Sequence, residues 1–182
     1  MLWSKKNAPL FLLLAAVLFF VGGCGGFHPL YGRNSAGDSP AAIAMAATRI
    51  HSIEDRIGQQ LHNHLLDLIN PRGPAADPRY DLVVLLNTSK SELGLKKSGF
   101  ATRANLHATA QITLSDARDS KTLLSGSHTI IGSYDILDSE YATLMAEKNA
   151  EARAVAELAL AIRNQLSVYF LQTTTNPTGQ AQ

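Results

Sequence analysis

The residue best placed for chemistry is the single cysteine, Cys24. It directly follows Val21-Gly22-Gly23, and those follow an uninterrupted apolar run from Ala8 to Val21. Two lysines, Lys5 and Lys6, precede that run. A basic start, an apolar middle and small residues before a cut form the pattern of a secretory signal peptide. The apolar run falls short of the roughly 20 residues that a spanning helix needs. Small residues let an extended backbone enter a protease, and a thiol is nucleophilic enough to take a diacylglycerol as a thioether. The four residues therefore read as a lipobox. Residues 1–23 are expected to be a lipoprotein signal peptide, and Cys24 the N-terminus carrying a covalent diacylglycerol and an N-acyl chain. The plainer alternative is an ordinary signal peptide with a chance cysteine. A chain with no other Cys weighs against that, and a lone Cys cannot close an intrachain disulfide. Residue 25 is Gly. The Asp that tends to retain enteric lipoproteins in the inner membrane is missing there, so the expected location is the periplasmic face of the outer membrane.

No other residues assemble into a catalytic or metal-binding pattern. Six histidines are present: His28, His51, His62, His64, His107 and His128. His62 and His64 are two apart, a spacing that does not share a helix face. Solvated or partly buried histidines are the simpler account. There is no Gly-x-Ser-x-Gly elbow, phosphate-binding Walker loop or dinucleotide fingerprint. Asp116, Asp119, Asp138 and Glu140 sit where turns and helix ends are expected, and capping explains them. The chain is thus read as a non-enzyme, with no metal and no cofactor beyond its lipid.

One polar cluster stands out, in the loop from Ser89 to Arg103. Lys90, Lys96, Lys97 and Arg103 face a single acid, Glu92, with Leu93, Leu95 and Phe100 interleaved. Basic heads among apolar side chains suit an amphiphile that bears phosphates on a lipid base. A solvated hairpin tip is the alternative.

Composition sets the outer limits. The 182 residues include 16 Lys+Arg and 15 Asp+Glu. Losing Lys5 and Lys6 with the leader leaves 14 basic against 15 acidic side chains, a net charge of −1. Such a balance gives no support to nucleic-acid binding. What remains after the leader is long enough for one domain with a core.

The elements that would position these residues follow from periodicity. Residues 24–42 are rich in Gly, Pro, Ser and Asn and read as a lipidated tether, although Phe27, Leu30 and Tyr31 are apolar and suit contact with the body or a partner. A single domain is expected over 43–171, and a polar tail without regular structure over 172–182. Residues 43–51 are read as a first strand. A helix is predicted from Ser52, with Ile53, Ile57, Leu61, Leu65 and Leu68 on one face, ending at Asn70-Pro71. Tyr80–Lys90 reads as a buried strand. Residues 101–115 alternate with period two, giving one dry and one wet face. Residues 122–134 form a further strand, with Gly126 and Gly132 as candidate bulges. A helical pattern from Ser139 to about Leu171 predicts a helix roughly 50 Å long, with one end reaching beyond the body. The expected fold class is α+β: two helices on one face of a four-stranded, mainly antiparallel sheet, in the order β-α-β-β-β-α. The first strand would join its neighbour in parallel by a right-handed crossover.

A family resemblance covers nearly the whole of the chain after the leader. Cys24-Gly25-Gly26-Phe27-His28-Pro29-Leu30-Tyr31-Gly32, Asp55-Arg56-Ile57-Gly58-Gln59, Asn70-Pro71-Arg72-Gly73, Ala101-Thr102-Arg103-Ala104-Asn105-Leu106, Ser133-Tyr134 and Tyr141-Ala142-Thr143 carry it, with the Ala-rich last helix. In order and spacing these motifs resemble the LptE lipoproteins of lipopolysaccharide assembly, in their alphaproteobacterial form. This chain departs from them by one extra Gly after the cysteine, which lengthens the tether by a residue. The resemblance implies two helices on a four-stranded sheet and a non-catalytic role. It implies a one-to-one complex with the large outer-membrane β-barrel LptD, which such a protein plugs and helps to assemble, and binding of lipopolysaccharide bound for the outer leaflet. Lys96, Lys97 and Arg103 are candidate lipopolysaccharide contacts from their local chemistry, not from the family. The competing readings are a stand-alone periplasmic lipoprotein that binds an amphiphile or another envelope protein, and a lipid-anchored hydrolase.

Overall fold

A computed structural model describes residues 39–95 and 101–175. The elements run α1 (Pro40–Ala46), β1 (Thr48–Ile50), α2 (Asp55–Ile69), β2 (Tyr80–Leu95), β3 (Ala101–Asp116), β4 (Thr122–Asp135) and α3 (Glu140–Thr175). The four strands form one sheet in the order β1-β2-β3-β4. β1 pairs with β2 in parallel and the other pairs are antiparallel. This is the expected α+β arrangement, with one short helix added at its start.

That helix crosses the expected boundary between tether and first strand. Ser39 caps it, its Oγ accepting the Ala42 N–H at 3.2 Å, and Pro40 fills the first helical turn. Proline is pre-shaped for that position and has no N–H to leave unpaired. Five of the seven helical residues are Ala or Met, both good helix formers. Strand pairing is left with only Thr48–Ile50. Asn70 at the end of α2 donates its side-chain N–H to Ala46 O and ties the two helices together.

The start of α2 also falls later than the helix start expected at Ser52. The cap is Glu54, which makes no side-chain capping bond. An apolar contact sets the entry instead. Ile53 is buried and packs where a Cβ on Gly58 would stand, only 2.7 Å from such an atom. Gln59 Nε2 donates to Ile53 O at 3.2 Å. This is the geometry of a hydrophobic staple, with glycine giving up its side chain to admit the isoleucine.

The core lies between the sheet and the helices. Leu82 and Val84 of β2 and Ala104, Leu106, Ala108, Ala110, Ile112 and Leu114 of β3 meet Leu61 and Leu65 of α2 and Val155, Leu158, Ile162 and Leu166 of α3. Small residues run down β3 while large ones come from α3, so the long helix beds closely on the sheet. Gly126 and Gly132 are not bulges, since the one register shift between β3 and β4 lies at Leu114/Ser115. They are sites of close approach. A Cβ on Gly132 would stand 3.1 Å from the carbonyl oxygen of Ala150, and one on Gly126 would stand 2.5 Å from Gln165 Nε2. α3 thus passes directly over β4.

The contact at Gly132 is against helix backbone, which cannot swing aside. Gly132→Val, although it favours strand, is expected to destabilise the fold by about 1–3 kcal/mol. Urea unfolding measures this. Unchanged stability would show that α3 is not held at this distance.

Candidate functional site

Strand parity decides which side chains the sheet presents. The face away from the helices carries Arg103, Asn105, His107, Thr109, Gln111 and Thr113 of β3, all exposed or half-exposed. Opposite them across β4 stand Asp135, Ser133, Ile131, Thr129, Ser127 and Ser125. No described helix covers this face. Its polar groups bond to one another: Thr109 to Thr129 at 3.0 Å, Ser133 Oγ to Asn105 Oδ1 at 2.7 Å, and Ser91 Oγ to a ring nitrogen of His107 at 3.2 Å. Exposed Val83, Leu85 and Ile131 interrupt it with apolar surface. The face is mostly uncharged and rich in hydroxyls.

Charge sits at its two ends. At the β1 end, Arg49 grips Asp81 through two hydrogen bonds of 2.6 and 2.9 Å, and His51 approaches the same carboxylate at 3.2 Å. The hydrogen bond from Arg49 holds the Asp81 carboxyl below its ordinary value, against a smaller upward push from burial. At the other end, Arg103 reaches Asp135 at 3.2 Å, with both side chains more than half exposed. Such a pair is weakly held and leaves the guanidinium accessible.

The basic cluster expected from the loop is divided by the same parity. β2 continues to Leu95 and β3 begins at Ala101, so Lys90 and Arg103 lie within strands rather than in a loop. Lys90 stands opposite Leu106 and Arg103 opposite Leu93, which puts them on opposite faces. Lys90 points to the helix side and is paired with Glu147 of α3. That hydrogen bond raises its ammonium pKa above the usual value. Tyr134 also reaches Glu147, at 3.3 Å, and burial is the main cause of its raised phenol pKa. Lys90 therefore fastens α3 to the sheet, and Arg103 alone of the two serves the open face. Cys24, Lys96 and Lys97 lie outside the described residues.

One feature was hidden in the sequence pattern. Tyr141, Leu144 and Met145 continue the apolar stripe of α3, yet they are exposed, as is Leu137 just before the helix. The stripe outruns the core because α2 begins only after β1 has ended. Thr88, Lys90 and Glu92 on the helix side of β2 are accordingly exposed. This apolar group follows β4, whose last residue, Asp135, is the partner of Arg103. Among the described residues no group of three or more His, Cys, Asp or Glu is placed to hold a metal ion. No described helix is long and apolar enough to cross a membrane.

A short parallel strand, a three-stranded antiparallel run and two helices on one side define an α+β fold that solved structures share. A putative lipoprotein from Caulobacter crescentus superposes with a TM-score of 0.60 at 21% identity, covering 72% of this chain and 96% of its own. The minor lipoprotein from Acinetobacter baumannii gives a TM-score of 0.51 at 15% identity, covering 68% and 92%. No curated protein matches the chain in sequence. The model of the LptE family, described as lipopolysaccharide-assembly, matches residues 41–166. The chain belongs to the LptE family of lipopolysaccharide-assembly proteins.

The Asp81 grip generates a test. A carboxyl depressed in the fold contributes stability that is complete above its unfolded pKa and is lost as pH falls through the folded one. Carboxyl carbon shifts followed by NMR are expected to place Asp81 below the usual aspartate range. Arg49→Gln is expected to move it upward and to weaken the loss of stability on acidification. An Asp81 titration unaffected by the substitution would remove Arg49 as its cause.

Proposed function

We propose that this chain is a lipid-anchored outer-membrane subunit that plugs the LptD barrel, supports its assembly, and binds lipopolysaccharide on its way to the outer leaflet. The family match across residues 41–166 carries the reading. Several features support it. Cys24 would hold the protein at the periplasmic face of the outer membrane. A sheet with one sealed face and one open, hydroxyl-rich face suits a body held in a water-filled lumen, where partner contacts are polar and bridged by water.

For lipopolysaccharide, the reading assigns the phosphates to Lys96, Lys97 and Arg103, by charge-assisted hydrogen bonds. Exposed Leu93 lies directly across from Arg103 and would meet the lipid base.

Two experiments test this. Mild detergent extraction of outer membranes is expected to yield a stable one-to-one complex with a barrel of much greater mass. Recovery as a free monomer would return the protein to a stand-alone amphiphile-binding lipoprotein. Lys96→Glu with Lys97→Glu, or Arg103→Glu, is expected to weaken lipopolysaccharide binding about tenfold or more while the barrel stays bound. Lys90→Ala is expected to leave that binding unchanged, because its charge is spent on Glu147. Equal effects from Lys90 and Arg103 would contradict the assignment.

A further inference from the structure

β4 is a long sheet edge without the usual protection. It is the last strand of the sheet, so one side of its backbone has no strand partner among the described residues. Exposed edges of this kind recruit further strands, and proteins normally guard them with Lys, Pro, bulges or short length. β4 has 14 residues, and from Thr122 to Tyr134 it holds no Lys, Arg, Asp, Glu or Pro. Its one irregularity is at its very start, opposite Leu114/Ser115. The other open edge is different. Beyond β1, the free side of β2 carries Lys90 and Glu92.

A second observation coincides with the edge. Alongside β4, beneath α3, runs a groove lined by Leu124, His128, Ala161, Asn164, Val168 and Tyr169. Leu124, Val168 and Tyr169 give it apolar surface, bordered by Gln165 and Gln172, and Val168 is 53% exposed. The helix reaches over the edge as if one more strand lay below it.

We infer that β4 accepts a fifth strand, an extended segment of the barrel partner whose inward side chains fill the groove under α3. This rests on the barrel reading above. Backbone groups along the edge would bind the segment's backbone, and the groove would select small apolar side chains at every second position. The row Ser125, Ser127, Thr129, Ile131 and Ser133 calls for uncharged polar side chains at the alternate positions, with an apolar one beside Ile131. A second copy of the chain fits poorly. α3 lies directly over β4, so antiparallel edge-to-edge pairing, which keeps both helices on one face of the joined sheet, would set them about 5 Å apart, one strand spacing. Packed helices need roughly 8–10 Å. The wall of a closed barrel has no free edge to offer. The segment must therefore come from a loop or terminus of the partner that enters the lumen.

Amide hydrogen exchange on the intact complex tests this. In the isolated chain, alternate amides of residues 124–134, those turned away from β3, are expected to exchange fast. In the complex those same amides are expected to slow by about tenfold or more, and Val168→Arg, which fills the groove from an exposed site, is expected to shorten the complex's lifetime by a similar factor. An intact complex in which these amides still exchange fast would overturn the strand and leave the barrel reading standing. Failure to find any complex would remove both. Protection that is already present in the monomeric chain, or that appears only as the chain dimerises, would assign the edge to the protein itself and overturn the proposal. Protection of Ala161 and Val168 by lipopolysaccharide micelles alone, with the edge amides still fast, would give the groove to acyl chains and overturn it equally.

Discussion

The structure hangs on the direct seating of α3 across β4. Two glycines make it possible. Gly132 lets the sheet approach the backbone of Ala150, and Gly126 leaves room for Gln165, whose Oε1 lies 2.5 Å from His128 Nε2. With the helix this close, Leu158, Ile162 and Leu166 reach the alanines of β3 and exclude water completely. Burying each such side chain is worth about 1.5–3 kcal/mol, and the helix brings a continuous row of them. The same seating has consequences on both sides of the sheet. It seals one face, leaves the opposite face uncovered, and leaves a groove between the helix and β4.

Alternation along the strands then distributes function. Consecutive side chains must point to opposite faces, so a cluster that looks single in sequence becomes two. Lys90 is drawn to the helix side and joins Glu147 and Tyr134 in bracing α3. Arg103 faces the other way and stays accessible beside Asp135. Arg56 of α2 pairs at 2.5 Å with Glu151, itself 6% exposed. Burying that carboxylate without its guanidinium would cost several kcal/mol. Lys90, Glu147, Arg56 and Glu151 on the helix side thus hold the body together, while among the described residues of the open face such pairing is confined to Arg49–Asp81 and Arg103–Asp135 at its ends.

Much of this was legible in the sequence. The α+β class, the succession of elements from the first strand to the last helix, the wet and dry faces of β3 and the stop at Asn70-Pro71 follow from period and punctuation alone. What escaped depended on contacts between distant residues. Nothing near Ser52 shows that Ile53 will settle on Gly58 and outcompete a polar cap. Gly126 and Gly132 read equally well as bulges or close approaches until the helix above them is placed. The stripe of Tyr141, Leu144 and Met145 obeys helical spacing, yet no core lies beneath it because α2 starts too late to provide one. α1 was masked by the low-complexity look of its surroundings, although Ser39-Pro40 is a sound helix start. For the candidate site, charge and apolar interleaving singled out residues 89–103, and only the extension of β2 and β3 revealed that Lys90 and Arg103 lie on opposite faces.

Membership of the LptE family ties this body to lipopolysaccharide assembly. The most direct measurement is depletion of this protein from its own cells, followed by assay of lipopolysaccharide at the cell surface and of folded barrel in the outer membrane. The account predicts that both fall together, and that both recover when the protein is restored. Normal surface lipopolysaccharide and a normal level of folded barrel in cells lacking the protein would contradict it.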